Sequence, residues 1–245
     1  MNRAPLAAYL RWNFRDGLPR LAVPIGLFLL LGGLPIWSLA RTSGIASLRE
    51  PSAAQQLALQ AYTGMLAMSM TLGALVLMSG VVAFDRERQY FRFLFSNPVA
   101  PWQFYLQRYL LSVIAFALVM MVIPLGFSMI VTEVPVLAVA KSALLYGALY
   151  GALAMLAGAL LNRDGIVLIG VVVITTMLQH IKAELPGWLG TVADALPPIA
   201  AADAVRKAWL NSSAADLGSL GLVVAYSLGM LAVALLLIRR APLAR

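Results

Sequence analysis

The sequence predicts an all-α integral membrane protein. It has six transmembrane helices with both ends cytoplasmic, an N-terminal amphipathic interfacial helix, and short re-entrant external helices before the sixth span. Three observations predict it. Hydrophobic residues make up 62% of the 245 and charged residues only 11%, with a mean hydropathy of +0.88. A soluble domain carries roughly 25% charged residues, so this chain lacks the polar surface to cover a sphere, and a bilayer removes that need. Six apolar stretches approach the ~20 residues that a helix rising ~1.5 Å per residue needs to cross a ~30 Å hydrocarbon core. Lastly, Lys and Arg alternate between rich and poor connections along the chain.

The six stretches are 21–40, 62–84, 109–131, 136–161, 165–181 and 219–238. Each must be helical, because lipid offers no partner to an unpaired backbone N–H or C=O. No alternating pattern of about ten residues supports a barrel. Ser38-Leu39-Ala40 has small residues spaced as at a signal-peptidase site, but the apolar run before it is as long as a full span, so 21–40 is expected to be a retained anchor. Connections on one side carry Arg3, Arg11, Arg15, Arg20, Arg86, Arg88, Arg92, Arg108, Arg163, Arg239, Arg240 and Arg245. The other side carries Arg41, Arg49, Lys141, Lys182, Arg206 and Lys207. Twelve against six places both termini in the cytoplasm by the positive-inside rule. Trp12, Trp37, Trp102, Trp188 and Trp209 fall at or beyond span ends, as an aromatic belt requires.

The whole of 1–245 reads as one transmembrane domain with three segments outside the spans. In 1–20, Leu6, Tyr9, Leu10, Phe14 and Leu18 recur at helical spacing, which predicts a short helix lying along the inner membrane surface. The cytoplasmic loop 85–108 opens with alternating charges and passes through the apolar cluster Phe91, Phe93, Leu94 and Phe95. It breaks at Asn97-Pro98. An aromatic face outside the bilayer wants a protein partner, or lies on lipid headgroups. The external segment 182–218 is cut by Pro186 and Pro197-Pro198 into two pieces too short to cross, with Trp188, Leu189, Val192 and Leu196 in a stripe on the first.

Other chemistries find little support. The net charge of +8 is explained by the membrane's inner face, so no nucleic-acid partner is expected. Absence of cysteine excludes disulfides, thiolate metal sites and a cysteine nucleophile. No G-x-S-x-G is present, and the single histidine, His180, lies at the outer end of the fifth stretch without an evident acid. No catalytic and no metal residue is assigned. An ion-coupled secondary transporter would want intramembrane charge or a broken helix at mid-bilayer. Only Lys141 lies inside a span, near its outer end. Met65, Met68, Met70 and Met78 give the second span adaptable apolar surface, suited to packing or to a lipophilic path. Ser69, Gly73 and Gly80 form a small-residue stripe there, and Gly147 and Gly151 give the fourth span a close-packing G-x-x-x-G. Thr175, Thr176, Gln179 and His180 concentrate polarity at the outer end of the fifth span. They should face protein or a hydrated cavity.

The loop at 85–108 resembles that of type-2 ABC exporter permeases, whose signature opens acidic-Arg-Glu-Arg and later has a Leu, a Pro-Val turn and a closing basic residue. Asp85, Arg86, Glu87, Arg88, Leu94, Pro98, Val99 and Arg108 match, while Gln89-Tyr90 and Ala100 depart from the pattern. The resemblance implies a transmembrane permease subunit of an ATP-driven exporter that is not itself an enzyme. Two permeases, copies or paralogues, would pair and form a path at their interface for a lipophilic, lipid-linked or polymer substrate. Two ABC ATPase subunits would carry ATP and Mg, with no cofactor on this chain, which has no G-x-x-x-x-G-K-[ST] loop. Asp85, Arg86, Glu87, Arg88, Phe91, Leu94, Phe95 and Pro98 would couple to the ATPase. Met65, Met68, Ser69, Thr175, Thr176 and Gln179 would line the path, and Pro186, Trp188, Pro197 and Trp209 would form an external gate. The setting implied is a prokaryotic cytoplasmic (inner) membrane, with membrane lipids as further partners. The same architecture also suits a haem-exporter-like membrane-assembly subunit.

Overall fold

A computed structural model describes residues 22, 25–26, 28–44, 53–79, 82, 100–131, 133–161, 164–182 and 186–240. Every regular element among them is a helix. The predicted interfacial helix at 1–20 and the loop residues Asp85 to Pro98 lie outside the described residues. A π-helical turn, Leu29–Gly33, leads directly into α1, Leu34–Ser43. Pro35 has no N–H to return to the carbonyl four residues back, and the wider turn lies just before it. At the end of α1 the Arg41 guanidinium lies 5.5 Å from the Trp37 ring centre, a cation–π contact suited to a membrane interface.

Helix α2 spans Ala53–Met78, 26 residues, or about 39 Å at ~1.5 Å per residue. It begins nine residues before the apolar stretch that starts at 62. Ala, Gln and Leu at its start are strong helix formers, and its length exceeds the ~30 Å hydrocarbon thickness. Helix α3, Pro101–Met120, also starts early, with Pro101 in the first turn after the extended Ala100. Proline suits that position, where its missing N–H has no partner to lose. The loop expected to run to Arg108 is therefore helical from Pro101, and Arg108 is buried in α3, only 7% exposed. Helix α4, Val122–Ile130, continues α3 after a break at Met121. Pro124 accounts for the break, because it cannot donate to the carbonyl of Met120.

The remaining helices are α5 (Val136–Leu160), α6 (Asp164–His180), α7 (Gly187–Ala195), α8 (Ile199–Leu210) and α9 (Leu217–Arg240). Among the described residues, four stretches are long and apolar enough to cross a membrane: Ala53–Met78, Pro101–Met129, Val136–Leu160 and Leu217–Arg240. Helix α6 is apolar but shorter, at 17 residues. The two short pieces expected between the fifth and sixth stretches are α7 and α8.

Helix α5 is the centre of the bundle, packed on α2, α3, α6, α8 and α9. Inside the protein, 72% of its most apolar stretch is buried, against 28% for α9. Small residues permit this. A Cβ added at Gly151 would sit 2.7 Å from Tyr109 Cε2, and one at Gly147 would sit 3.3 Å from Phe116 Cδ1. The Tyr109 hydroxyl donates to the Ala148 carbonyl at 3.0 Å, which pins the ring over the Gly151 backbone. The G-x-x-x-G thus joins α5 to α3 within one chain. Near the other end of the bundle, the Tyr62 ring lies 4.3 Å from Phe127 and 5.9 Å from Phe28, tying α2 to α4 and to the first-span segment.

Two caps set the ends around α8 and α9. Asp216 accepts bonds from Ser219 Oγ at 2.7 Å and Ser219 N–H at 2.8 Å, the arrangement of a helix N-cap. Those bonds from Ser219 hold its carboxyl below the usual carboxylate range. After α8, Ser212 takes φ = +54°, while the Ser213 N–H donates to the Ala208 carbonyl at 2.9 Å. This is a helix C-terminal turn that favours glycine. Ser212→Gly should raise stability by about 0.5–1 kcal/mol, read as a higher unfolding midpoint of the purified protein. A lower midpoint would show that the serine side chain, not the backbone, governs this turn.

Candidate functional site

The middle of α2, the middle of α5, the last turns of α6 and the start of α8 surround an open chamber of about 520 Å³. Gly64, Ala67, Met68, Thr71 and Leu72 line it from α2, and Tyr146 and Tyr150 from α5. Thr176 and Gln179 come from α6, with Ile199, Ala200 and Asp203 from α8. Its size falls within the roughly 300–1,000 Å³ of small-ligand sites. Tyr146 and Tyr150 are one helical turn apart, with ring centres 5.9 Å apart. The Tyr150 hydroxyl interacts with Thr71 but is buried with no partner at ordinary hydrogen-bond distance.

Gln179 joins the chamber to its cap. Its Nε2 donates to the Pro197 carbonyl at 3.0 Å, and its Oε1 accepts from the Ala200 N–H at 3.0 Å. The amide therefore satisfies two backbone groups where α8 begins, and α8 cannot lift from α6 without breaking both bonds. The Lys182 ammonium pairs with Asp194 on α7, and the Tyr226 hydroxyl of α9 donates to the Ala195 carbonyl at 3.1 Å.

Beneath the cap lies a three-charge cluster. Arg206 is only 3% exposed, and its Nε and Nη2 donate to Asp203 Oδ1 at 3.1 and 2.6 Å. Lys207 Nζ lies 2.8 Å from Asp203 Oδ2. A second arm of Arg206, Nη1, reaches the Thr63 carbonyl of α2 at 3.5 Å. Burial opposes ionisation of Asp203, but bonds from Lys207 and Arg206 and their positive charges prevail and hold its carboxyl below the usual range. A buried guanidinium needs such a partner, since desolvation of an unpaired charge is costly.

The structure separates the residues expected to line a path. Met68, Thr176 and Gln179 line the chamber. Met65 packs half-buried against the core. Ser69 and Thr175 are fully buried, and their hydroxyls make no hydrogen bond. His180 lies in the last turn of α6, its side chain outside the described residues. Of the expected gate residues, Pro186 precedes α7 and Trp188 on it is 69% exposed. Pro197 is buried and bonded to Gln179, and Trp209 packs half-buried on the core.

Thr71, Tyr146, Tyr150, Asp203 and Arg206 were not singled out by sequence reasoning. Two signals carried them: the Tyr pair at i, i+4 in an apolar span, and Asp203 with Arg206 and Lys207 at i+3 and i+4 in an otherwise apolar segment. Among the described residues no cluster of His, Cys, Asp and Glu could hold a metal ion.

The comparison with curated proteins finds no match. Residues 6–210 match the family described as ABC-2 type transporter, a range that runs from the N-terminal segment through the chamber to the end of α8. The chain belongs to the ABC-2 type transporter family, as an integral membrane permease component with apolar transmembrane helices.

Proposed function

We propose that this chain is the membrane subunit of an ATP-driven exporter, with two permeases pairing and two separate ABC ATPase subunits supplying the energy. The permease crosses the bilayer six times with both termini cytoplasmic, in a prokaryotic inner membrane. The first span contains α1, the third combines α3 and α4, and the fifth is α6. The cargo is lipophilic, lipid-linked or polymeric. Asp85 to Pro98 dock the ATPase, and α7 with α8 form the external gate.

The observation that carries this reading is the chamber between α2 and α6, roofed by α8 and latched by Gln179. A permease must open its external end in response to a distant ATPase, and a few bonds at a roof helix suit such an opening. Helix α6 also leaves Ile166, Ile169, Val173 and Met177 exposed, an apolar strip where a second permease packs.

Thr176→Cys tests it. The chain has no native cysteine, so a water-soluble maleimide reports this position alone. In the complex with its ATPase, labelling should change severalfold between nucleotide-free and ATP-bound states. Equal rates in every nucleotide state would mean that Thr176 marks only the edge of the bilayer.

A further inference from the structure

We infer that the chamber binds an uncharged, hydroxyl-bearing head group attached to an apolar chain, an amphiphile of the glycolipid or alkyl-glycoside kind. This rests on the reading that the chamber belongs to the transport path and names the chemistry of what occupies it.

The charges of the lining exclude the other two head-group classes. Among the described residues no Lys or Arg lines the chamber, and the one charged lining group is a carboxylate, Asp203. An anionic head would find no Lys or Arg on that lining to pair with. A cationic head would need Asp203, but both its oxygens are engaged, Oδ1 by Arg206 and Oδ2 by Lys207. A cationic head would have to displace one of these partners.

An uncharged hydroxylated group fits without either cost. Thr71, half-buried, and Thr176, exposed, bring two hydroxyls to the lining, and the wall behind them holds the buried Tyr146 and Tyr150. A hydroxyl both donates and accepts, so such a surface matches a polyol in either role. Met68, Leu72, Ile199, Ala67 and Ala200 make the remaining lining apolar, and Met68 is half exposed and adaptable. Small groups at Gly64, Ala67 and Ala200 leave the room. Polar and apolar lining thus require an amphiphile rather than a free sugar.

Protection of Ala67→Cys from a maleimide, in the full-length permease with its ATPase in nanodiscs, tests the inference. The probes are octyl glucoside, octyltrimethylammonium and octyl sulfate at concentrations below solubilisation, and glucose alone. Octyl glucoside should protect at about tenfold lower concentration than either charged compound, as one to two extra hydrogen bonds imply. Thr71→Val with Thr176→Val should remove that advantage. Neither threonine is buried, and valine keeps the branched shape, so folding should survive.

Equal or better protection by a charged probe would overturn the head-group assignment. Protection by glucose as strong as by octyl glucoside would overturn the amphiphile. No protection by any probe would show that the chamber is not a binding site. Nucleotide dependence of Ala67→Cys labelling without probe is a separate readout. If it is absent while octyl glucoside protects, transport through the chamber fails and the binding inference stands.

Discussion

Asp203→Ala should destabilise the protein by about 3 kcal/mol, near the lower end of what breaking one side of a buried ion pair costs. Arg206 would remain, 3% exposed, with its guanidinium uncompensated. The lower end applies because the Asp203 side chain is 32% exposed and water partly replaces it. Arg206→Met combined with Asp203→Ala should recover most of the loss, since no buried charge remains. Lys207→Ala should cost under about 1 kcal/mol, its side chain being 65% exposed. The unfolding midpoint of each purified variant checks the ranking. A loss in the double variant equal to the sum of the single ones would mean that the two residues act independently.

The same cluster sets a pH dependence. The carboxyl of Asp203 is held below its ordinary value in the folded protein. Its contribution is therefore fully present above the unfolded carboxyl value, and is lost as pH falls through the lower folded value. Acid should weaken the attachment of α8, and the Asp203→Ala variant should lack that part of the acid sensitivity.

Gly151→Ala should cost about 1–3 kcal/mol, the range for overpacking a filled core. The added methyl would lie 2.7 Å from Tyr109 Cε2, closer than carbon atoms approach. The ring cannot swing aside cheaply, because it is only 5% exposed and its hydroxyl holds the Ala148 carbonyl. Gly147→Ala should cost less, its new contact being 3.3 Å from a single Phe116 ring atom. Tyr109→Leu should partly rescue Gly151→Ala by making room, a coupling that a double-mutant cycle on the unfolding midpoint measures. Strict additivity would place the strain elsewhere.

Gly147 and Gly151 show what the sequence makes legible. Their spacing announced close helix packing, and the structure supplies the partner helix, α3. The spans at α5 and α9 were likewise legible to within about two residues, since apolar runs there coincide with helix ends. The starts of α2 and α3 were not, because hydropathy marks where lipid lies and not where a helix begins. Ala53 and Pro101 start helices in polar or aromatic surroundings that a hydropathy criterion passes over.

The chamber was legible only in pieces. The polarity of Thr176 and Gln179 showed that they should face something other than lipid. The partners of Gln179, Pro197 and Ala200, lie 18 and 21 residues away, across two proline breaks that no periodicity spans. Nothing in the sequence distinguishes Tyr146 and Tyr150 from ordinary core aromatics of an apolar span. Arg206 was counted among the charges of the external side and Asp203 was passed over, because a single sequence does not show that α8 folds back onto α2 and α5.

Coupling to a separate ATPase through 85–108 is tested most directly by co-purification and transport with Phe91→Ser, Phe95→Ser and Glu87→Lys combined. The variant permease should insert in the membrane as before, lose its ATPase subunits on purification, and lose nucleotide-dependent labelling at Thr176→Cys. An intact complex with normal transport after all three changes would contradict docking at this loop.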